Sequence, residues 1–289
     1  MSNHSPGHKA DVAFILSLLD ESNEEVCALG ISLEHLVDIY NDYLERQTEL
    51  EDIGAFISQI MMKAKGVHSV KYRIKDPKHL LRKIIRKKQE YPHRETTANN
   101  YTDLINDLIG VRVLHLYKEE WESIATYIQD KWELKRVPYA YVKEKSSNIY
   151  VPAFEKYGCK IQKHPTGYQA VHFVIETKPD KQRYFAEIQL RTLFEEGWSE
   201  IDHTIRYPDH NNIGLLDCML QLLNKLTVRA DEMVTHMRKF TQVVARHREQ
   251  EELPNTITQE LTTYVDNLPI PQDEKQQLYT CIANLGKKK

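Results

Sequence analysis

Apolar positions in this chain follow two periods, and the change between them divides it. From Ser32, apolar or tolerant residues recur every three or four positions: Leu33, Leu36, Tyr40, Tyr43, Gln47, Leu50, Gly54, Ile57, Met61 and Ala64. That spacing predicts one long amphipathic helix, capped by Ser32 and ending near Gly66. Residues 10–29 before it read as a short helix. Pro77 suits the first turn of a further helix, with Leu80, Leu81, Ile84 and Ile85 inward and basic side chains outward. The period then falls to two. Residues 111–117, 167–175 and 184–191 read as strands, and the helix-like stretch 118–131 lies between the first two. Strands separated by helices predict a mixed or partly parallel sheet in an α/β or α+β core.

Helical spacing returns from Leu193, where Phe194, Trp198, Ile201 and Ile205 form a stripe stopped by Pro208. Residues 213–248 then carry Met219, Leu223, Leu226, Ala230, Met233, Met237, Phe240 and Val244 in a 4-3-4-3 alternation. Such a heptad seam packs on another long helix, either within the chain or from a partner. Pro254 and Pro271 punctuate two short final helices, and residues 287–289 read as a frayed tail.

Composition narrows the class. The 289 residues are 41% hydrophobic and 28% charged, as expected of a soluble protein with two units, or one with long helical additions. No apolar run approaches the roughly 18–20 residues that cross a bilayer, and Asp20, Glu21, Glu24 and Glu25 follow the first apolar patch, unlike a signal peptide. Cysteines 27, 159, 218 and 281 form no CxxC pair, so neither a disulfide framework nor a cysteine zinc site is expected. The expected compartment is the cytoplasm.

Charge is unevenly spread. Between residues 63 and 94, twelve Lys and Arg face only Asp76 and Glu90, a local charge of +10 that leaves −13 for the rest of a chain of net charge −3. A polyphosphate or nucleic-acid site would use such a run, although a solvated helix face produces the same pattern.

Within the strand at 184–191, Ala186, Ile188 and Leu190 share an apolar face, and Glu187, Gln189 and Arg191 share the other. A site built on a rigid element and a plain solvent face both fit that alternation. In the strand at 167–175, Val171, Phe173 and Ile175 point one way, and Tyr168, Ala170 and His172 the other. On an extended strand Tyr168 and His172 would lie roughly 13 Å apart. They can serve as a stacking ring and a phosphate-binding imidazole, or as ordinary core and surface residues. Asp107 precedes Gly110 at the start of a strand, where a hard carboxylate oxygen can hold Mg²⁺ or simply close a turn. Neither GxxxxGK[ST] nor GxGxxG occurs, so side chains such as Arg73, Lys75 and Lys83 must hold any phosphates. Glu200 and His203 form one Glu-x-x-His; the second copy a di-metal bundle needs, Glu90 to His93, is broken by Pro92.

In order, these segments resemble the synthetase domain of the RelA/SpoT family of alarmone synthetases, from about residue 67 to 207. The resemblance rests on Arg73-Ile74-Lys75 with Lys83 downstream, Asp107-Leu108-Ile109-Gly110-Val111-Arg112, and Gly167-Tyr168-Gln169-Ala170-Val171-His172. Glu187-Ile188-Gln189-Leu190-Arg191-Thr192 follows, then Trp198, Glu200, His203 and Tyr207. It implies an α+β fold, a nucleotidyltransferase-like mixed sheet flanked by helices, with a helical segment over 1–66, the synthetase domain over 67–208 and a helical extension over 209–289.

The resemblance also implies transfer of pyrophosphate from ATP to the 3′-hydroxyl of GDP or GTP, with Mg²⁺ as cofactor. Asp107 and Glu187 would be the catalytic and metal-binding carboxylates. Arg73, Lys75, Lys83 and Arg112 would bind ATP; Tyr168, His172, Lys163, His164, Gln189 and Arg191 would bind the acceptor. Two positions depart from the family pattern: His79, where Ser is frequent, and His164, where Lys is usual. An imidazole is a weaker, pH-dependent phosphate partner, which opens the choice of acceptor. Small synthetase-only relatives tend to form homo-oligomers through flanking helices. No His-Asp dyad precedes the match, so hydrolase activity is not expected. A tRNA 3′ end or an adenosine nucleotide as acceptor, and a non-catalytic RNA-binding protein, are the less favoured alternatives.

Overall fold

The computed structural model describes residues 9–19, 23–143, 150–164, 166–206, 214–249, 254–266, 268 and 270–285. Pro208, Tyr207 and the tail 287–289 fall outside the described residues, as does the side chain of Val244.

Within the stretch expected to be helical over 10–29, α1 (Val12–Leu19) and α2 (Asn23–Ala28) are helices, and residues 20–22 between them lie outside the described residues. The long helix α3 (Leu33–Met61) starts as predicted: the Ser32 hydroxyl accepts the His35 N–H at 3.3 Å. Its buried stripe contains Leu36, Ile39, Tyr43, Leu50, Ile57 and Met61. Gly66, with φ +93°, turns the chain into strand β1 (Val67–Ile74). Asp76 then caps α4 (Pro77–Glu90), accepting the His79 N–H at 3.1 Å, and Leu80, Leu81, Ile84 and Ile85 are buried as the pattern requires.

After the one-turn α5 (Tyr101–Leu104) come β2 (Ile109–His115), a 3₁₀ turn at Lys118–Glu120, α6 (Trp121–Lys131), β3 (Glu133–Leu134), β4 (Tyr139–Lys143), α7 (Val151–Lys156) and β5 (Lys160–His164). The main strands β6 (Ala170–Thr177) and β7 (Tyr184–Thr192) lead into α8 (Leu193–Arg206). Thr192 and Glu195 close a capping box there: Glu195 N–H donates to Thr192 Oγ1 at 3.1 Å, and Thr192 N–H to Glu195 Oε2 at 2.9 Å. The C-terminal helices are α9 (Gly214–Glu249), α10 (Pro254–Asp266) and α11 (Gln272–Leu285).

The seven strands form one mixed sheet in the order β1-β2-β7-β6-β4-β5, with β3 also paired to β6. The β2–β7 and β4–β5 pairs are parallel, and the others are antiparallel. This is the expected α+β architecture, a mixed sheet flanked by helices. Val111, Val113, Phe173, Ile175, Ile188 and Leu190 form the apolar face and join the buried stripe of α3 and Ile124 and Ile128 of α6 in one core. The opposite face is left for polar chemistry.

The described residues fall into two compact units, one within 1–115 and 120–199, the other within 116–119 and 200–285. In the second, Leu261, Val265, Leu268 and Ile282 form a small core with Phe240 and Tyr264 packed on it. The heptad seam of α9 is mixed among the described residues: Met219 is 58%, Leu226 54% and Met237 60% exposed, whereas Leu223, Ala230, Met233 and Phe240 are half-buried. The buried positions of α9 include Leu220, Asn224, Asp231 and Thr235. None of the described helices is long and apolar enough to cross a membrane.

Candidate active site

Sheet register assembles the site. Arg73 on β1 lies opposite Gly110 on β2, which lies opposite Glu187 on β7. One row further, Lys71, Arg112, Gln189, His172 and Tyr139 stand side by side across β1, β2, β7, β6 and β4. Residues paired in register project to the same side of a sheet, so these side chains share the polar face. Arg73 lies over Gly110, where a Cβ would meet Arg73 Cγ at 3.6 Å, an ordinary van der Waals contact.

Asp107, in the turn between α5 and β2, is held by two lysines from different elements. Lys75 Nζ donates to its Oδ2 at 2.8 Å, and Lys83 Nζ of α4 reaches the same oxygen at 2.7 Å. Lys75 is itself pinned, its N–H on the Leu108 carbonyl at 2.9 Å and its carbonyl accepting the Tyr43 hydroxyl. Burial opposes ionisation of Asp107, but the charges of Lys83 and Lys75 and their hydrogen bonds outweigh it and keep its carboxyl below the usual range. Its Oδ1 is buried and has no hydrogen-bond partner among the described residues.

Glu187 is the second carboxylate. Burial would raise its pKa, but the His172 hydrogen bond and charge, the Gln189 amide and Lys83 together bring it down to about 2. Gln189 Nε2 donates to Glu187 Oε2 at 2.7 Å, and His172 Nδ1 lies 3.4 Å from Oε1. Lys83 thus acts on both carboxylates, bonding Asp107 and lowering Glu187.

His172 continues the network through its other nitrogen, 2.8 Å from the Tyr168 hydroxyl. Tyr168 and His172 are therefore in contact, not roughly 13 Å apart. The reason is local: β6 begins at Ala170, so Tyr168 precedes the strand and folds back over it. Gly167, with φ +84°, makes that turn, and its N–H donates to the His164 carbonyl at 3.1 Å. The Tyr168 ring lies 5.7 Å from Tyr141 and 5.4 Å from His164, while His164 Nδ1 is 2.9 Å from Thr166 Oγ1. Burial pushes the Tyr168 hydroxyl up to about 12, so it stays protonated at neutral pH.

Beneath Tyr168 lies a buried ionic pair. Arg191, 3% exposed, donates from Nη2 to the Tyr168 hydroxyl at 2.6 Å, and its guanidinium lies 5.0 Å from the Tyr168 ring centre. Arg191 Nη1 bonds Glu196 Oε2 at 2.9 Å, and Arg112 Nη1 bonds Glu196 Oε1 at 3.0 Å. One buried carboxylate thus orients an arginine from each of two neighbouring strands.

The fold thereby brings together Asp107, Lys75 and Lys83 in one group, and Glu187, His172, Gln189, Tyr168, Arg191 and His164 in another, with Arg73 and Arg112 on the shared face. Lys163 stands apart. It pairs with buried Val142, which puts it on the opposite face of β5 from His164, and it is exposed. Glu196, Arg136, Tyr139 and Tyr141 were not read from the sequence. Glu196 had a signal: two inward arginines on buried strands need a carboxylate, and Glu195 and Glu196 are the next acids after Arg191. Arg136, 3.9 Å from Glu187, had none.

The donor set suits a hard divalent cation. Asp107 offers an unused buried carboxylate oxygen and Glu187 is ionised, yet no group of three His, Cys, Asp or Glu converges among the described residues. An ion here would take its remaining ligands from water and substrate phosphates, as Mg²⁺ does.

Residues 72–212 match the family described as the region found in RelA / SpoT proteins. A GTP pyrophosphokinase, YwaC of Bacillus subtilis (strain 168), is 23% identical over 202 residues, 64% of this chain and 86% of that protein. Among solved structures, the small alarmone synthetase 1 from Bacillus subtilis bound to its product pppGpp is 19% identical, covering 67% of this chain and 92% of that one, with a TM-score of 0.46. A GTP pyrophosphokinase family protein from Streptococcus pneumoniae is 19% identical, covering 72% and 94%, also with a TM-score of 0.46. Residues 72–212 of this chain, which hold both Asp107 and Glu187, are thus similar to the region found in RelA / SpoT proteins.

Proposed function

We propose that this protein is an alarmone synthetase, transferring the β,γ-pyrophosphate of ATP to the 3′-hydroxyl of GDP or GTP and releasing AMP. One observation carries the reading: Lys83, which together with Lys75 neutralises Asp107 on a single oxygen, also lowers the pKa of Glu187, so one lysine couples the two carboxylates. Transfer of this kind depends on positioning and charge neutralisation more than on covalent chemistry by the protein. The 3′ oxygen bonds to Pβ while the bond from Pβ to the α,β-bridging oxygen breaks, and AMP leaves with that oxygen. Glu187, being a weak base, accepts the hydrogen bond of the 3′-hydroxyl and aligns it; the proton passes through that contact to water.

Asp107 Oδ1 and Glu187 would hold Mg²⁺, which when bound supplies charge neutralisation on the phosphates. Arg73 stacks on adenine, and Lys75, Lys83 and Arg112 serve the ATP phosphates. Tyr168 stacks on guanine, with His164, His172, Gln189 and Arg191 around the acceptor. Lys163 meets the acceptor only at the rim, given its place on the far face of β5. The exposed seam positions of α9, Met219, Leu226 and Met237, join copies of the chain into a homo-oligomer.

The test is to identify the products made by the purified protein from ATP and Mg²⁺ with GDP, GTP, GMP or bulk tRNA. A guanosine nucleotide carrying a 3′-pyrophosphate, with AMP in equal amount, is expected. Label transferred only to tRNA, or RNA binding without AMP release, would defeat the reading.

A further inference from the structure

Arg136 enters the site from the link between β3 and β4, carried by no periodic element. Its Nη2 lies 3.9 Å from Glu187 Oε1, the oxygen that faces His172. Its guanidinium sits 4.0 Å from the ring centre of Tyr139, and Nη1 donates to the Val137 carbonyl at 3.2 Å. Tyr139 in turn pairs with His172 across the sheet, so the platform beneath Arg136 belongs to the same row as the site.

The contact with Glu187 is too long for a hydrogen bond, unlike the 2.9 Å bond of Arg191 to Glu196. Glu187 has closer partners in Gln189 and His172. Lys75 and Lys83 lie on Asp107. A planar fork is therefore stacked in place beside the carboxylate that aligns the nucleophile.

Resting on the pyrophosphate-transfer reading above, we propose that Arg136 is a catalytic residue whose guanidinium contacts the non-bridging oxygens of the transferring β-phosphoryl group. The hydroxyl bound by Glu187 must meet Pβ, so a cation about 4 Å from that carboxylate borders the phosphoryl oxygens as their charge redistributes. A guanidinium spans two such oxygens, which an ammonium cannot do.

Arg136→Ala, Arg136→Lys and wild type are compared by steady-state kinetics with ATP and the preferred acceptor. In Arg136→Ala, kcat falls about 10²–10³-fold while both KM values stay within about threefold. Arg136→Lys recovers only part of the rate. Millimolar guanidinium restores activity to Arg136→Ala and leaves wild type unchanged, a rescue that a purely structural residue would not show. Should Arg136→Ala fail to fold, Arg136→Lys carries the kcat test. A risen acceptor KM with normal kcat, an unaffected rate, or no rescue in a folded Ala variant overturns the assignment while wild-type activity upholds the parent reading. A wild type that transfers no pyrophosphate to any acceptor overturns both.

Discussion

Lys83 Nζ stands 2.7 Å from Asp107 Oδ2, the same oxygen that Lys75 occupies at 2.8 Å, so both cations crowd one side of the carboxylate. The other oxygen, Oδ1, is buried and without a hydrogen-bond partner among the described residues. Asp107→Asn removes the charge both lysines face, and product formation should fall by about 10² or more. Stability should fall by about 1–3 kcal/mol at pH 7. Because its folded pKa is depressed, Asp107 stabilises above its unfolded pKa near 3.9, and this contribution is lost as pH falls through the lower folded value. The wild-type advantage in urea midpoint should therefore be full at pH 7 and shrink in strong acid. An advantage that is constant with pH would contradict the pairing.

Glu187→Gln keeps the shape of the side chain and removes its charge. Turnover should drop by at least about 10²-fold while ATP binding, measured by calorimetry, stays within about threefold. Full activity in this variant would show that Glu187 does not align the acceptor. With its pKa brought down to about 2, Glu187 also contributes no inflection to the wild-type rate profile between about pH 5 and 9.

Gly54 on α3 marks where the helix crosses β1. An alanine Cβ there would lie 2.6 Å from Tyr72 Cδ2 and 3.3 Å from Cγ, the body of the ring and not its tip. Helix propensity alone favours alanine by about 1 kcal/mol. The clash should prevail, so Gly54→Ala lowers stability by about 1–2 kcal/mol in urea unfolding. In a Tyr72→Ala background the sign should reverse. The same loss in both backgrounds would rule out Tyr72 as the cause.

Cys159 is buried, and burial pushes its thiol up to about 11, whereas Cys218 and Cys281 are exposed. At pH 8 the raised pKa leaves Cys159 almost wholly as neutral thiol, which is unreactive. Mass spectrometry after brief iodoacetamide treatment should find Cys218 and Cys281 alkylated and Cys159 protected until the protein is unfolded. Early labelling of Cys159 would refute its burial.

The seam of α9 supplies a prediction about assembly. Light scattering of the wild type should give a mass above that of one chain, and Met219→Glu with Leu226→Glu should reduce it without lowering the helical signal. A wild-type monomer would leave that face to some other occupant.

Period and capping chemistry already determine much of this protein. Ser32 and Asp76 start α3 and α4, and Pro77 fits the first turn of α4, because caps and φ restriction act over a few residues. The alternation of β6 and β7 likewise assigns Phe173, Ile188 and Leu190 to the core and Glu187, Gln189 and Arg191 to the other face. Strands β3, β4 and β5 escape notice because two to five residues hold too few repeats to establish a period, and the eight residues of β1 because VHSVKYRI does not alternate apolar with polar positions.

Tertiary structure alone decides the rest. Register across five strands depends on hydrogen bonds between residues far apart in the chain, and it puts Lys71, Arg112, Gln189, His172 and Tyr139 in one row. The fold-back of Tyr168 onto His172, the convergence of Arg112 and Arg191 on Glu196, and the approach of Arg136 to Glu187 are of the same kind. Local sequence can specify which side chains leave the core. Where they meet is settled by packing and pairing between distant segments, which no short window of residues contains.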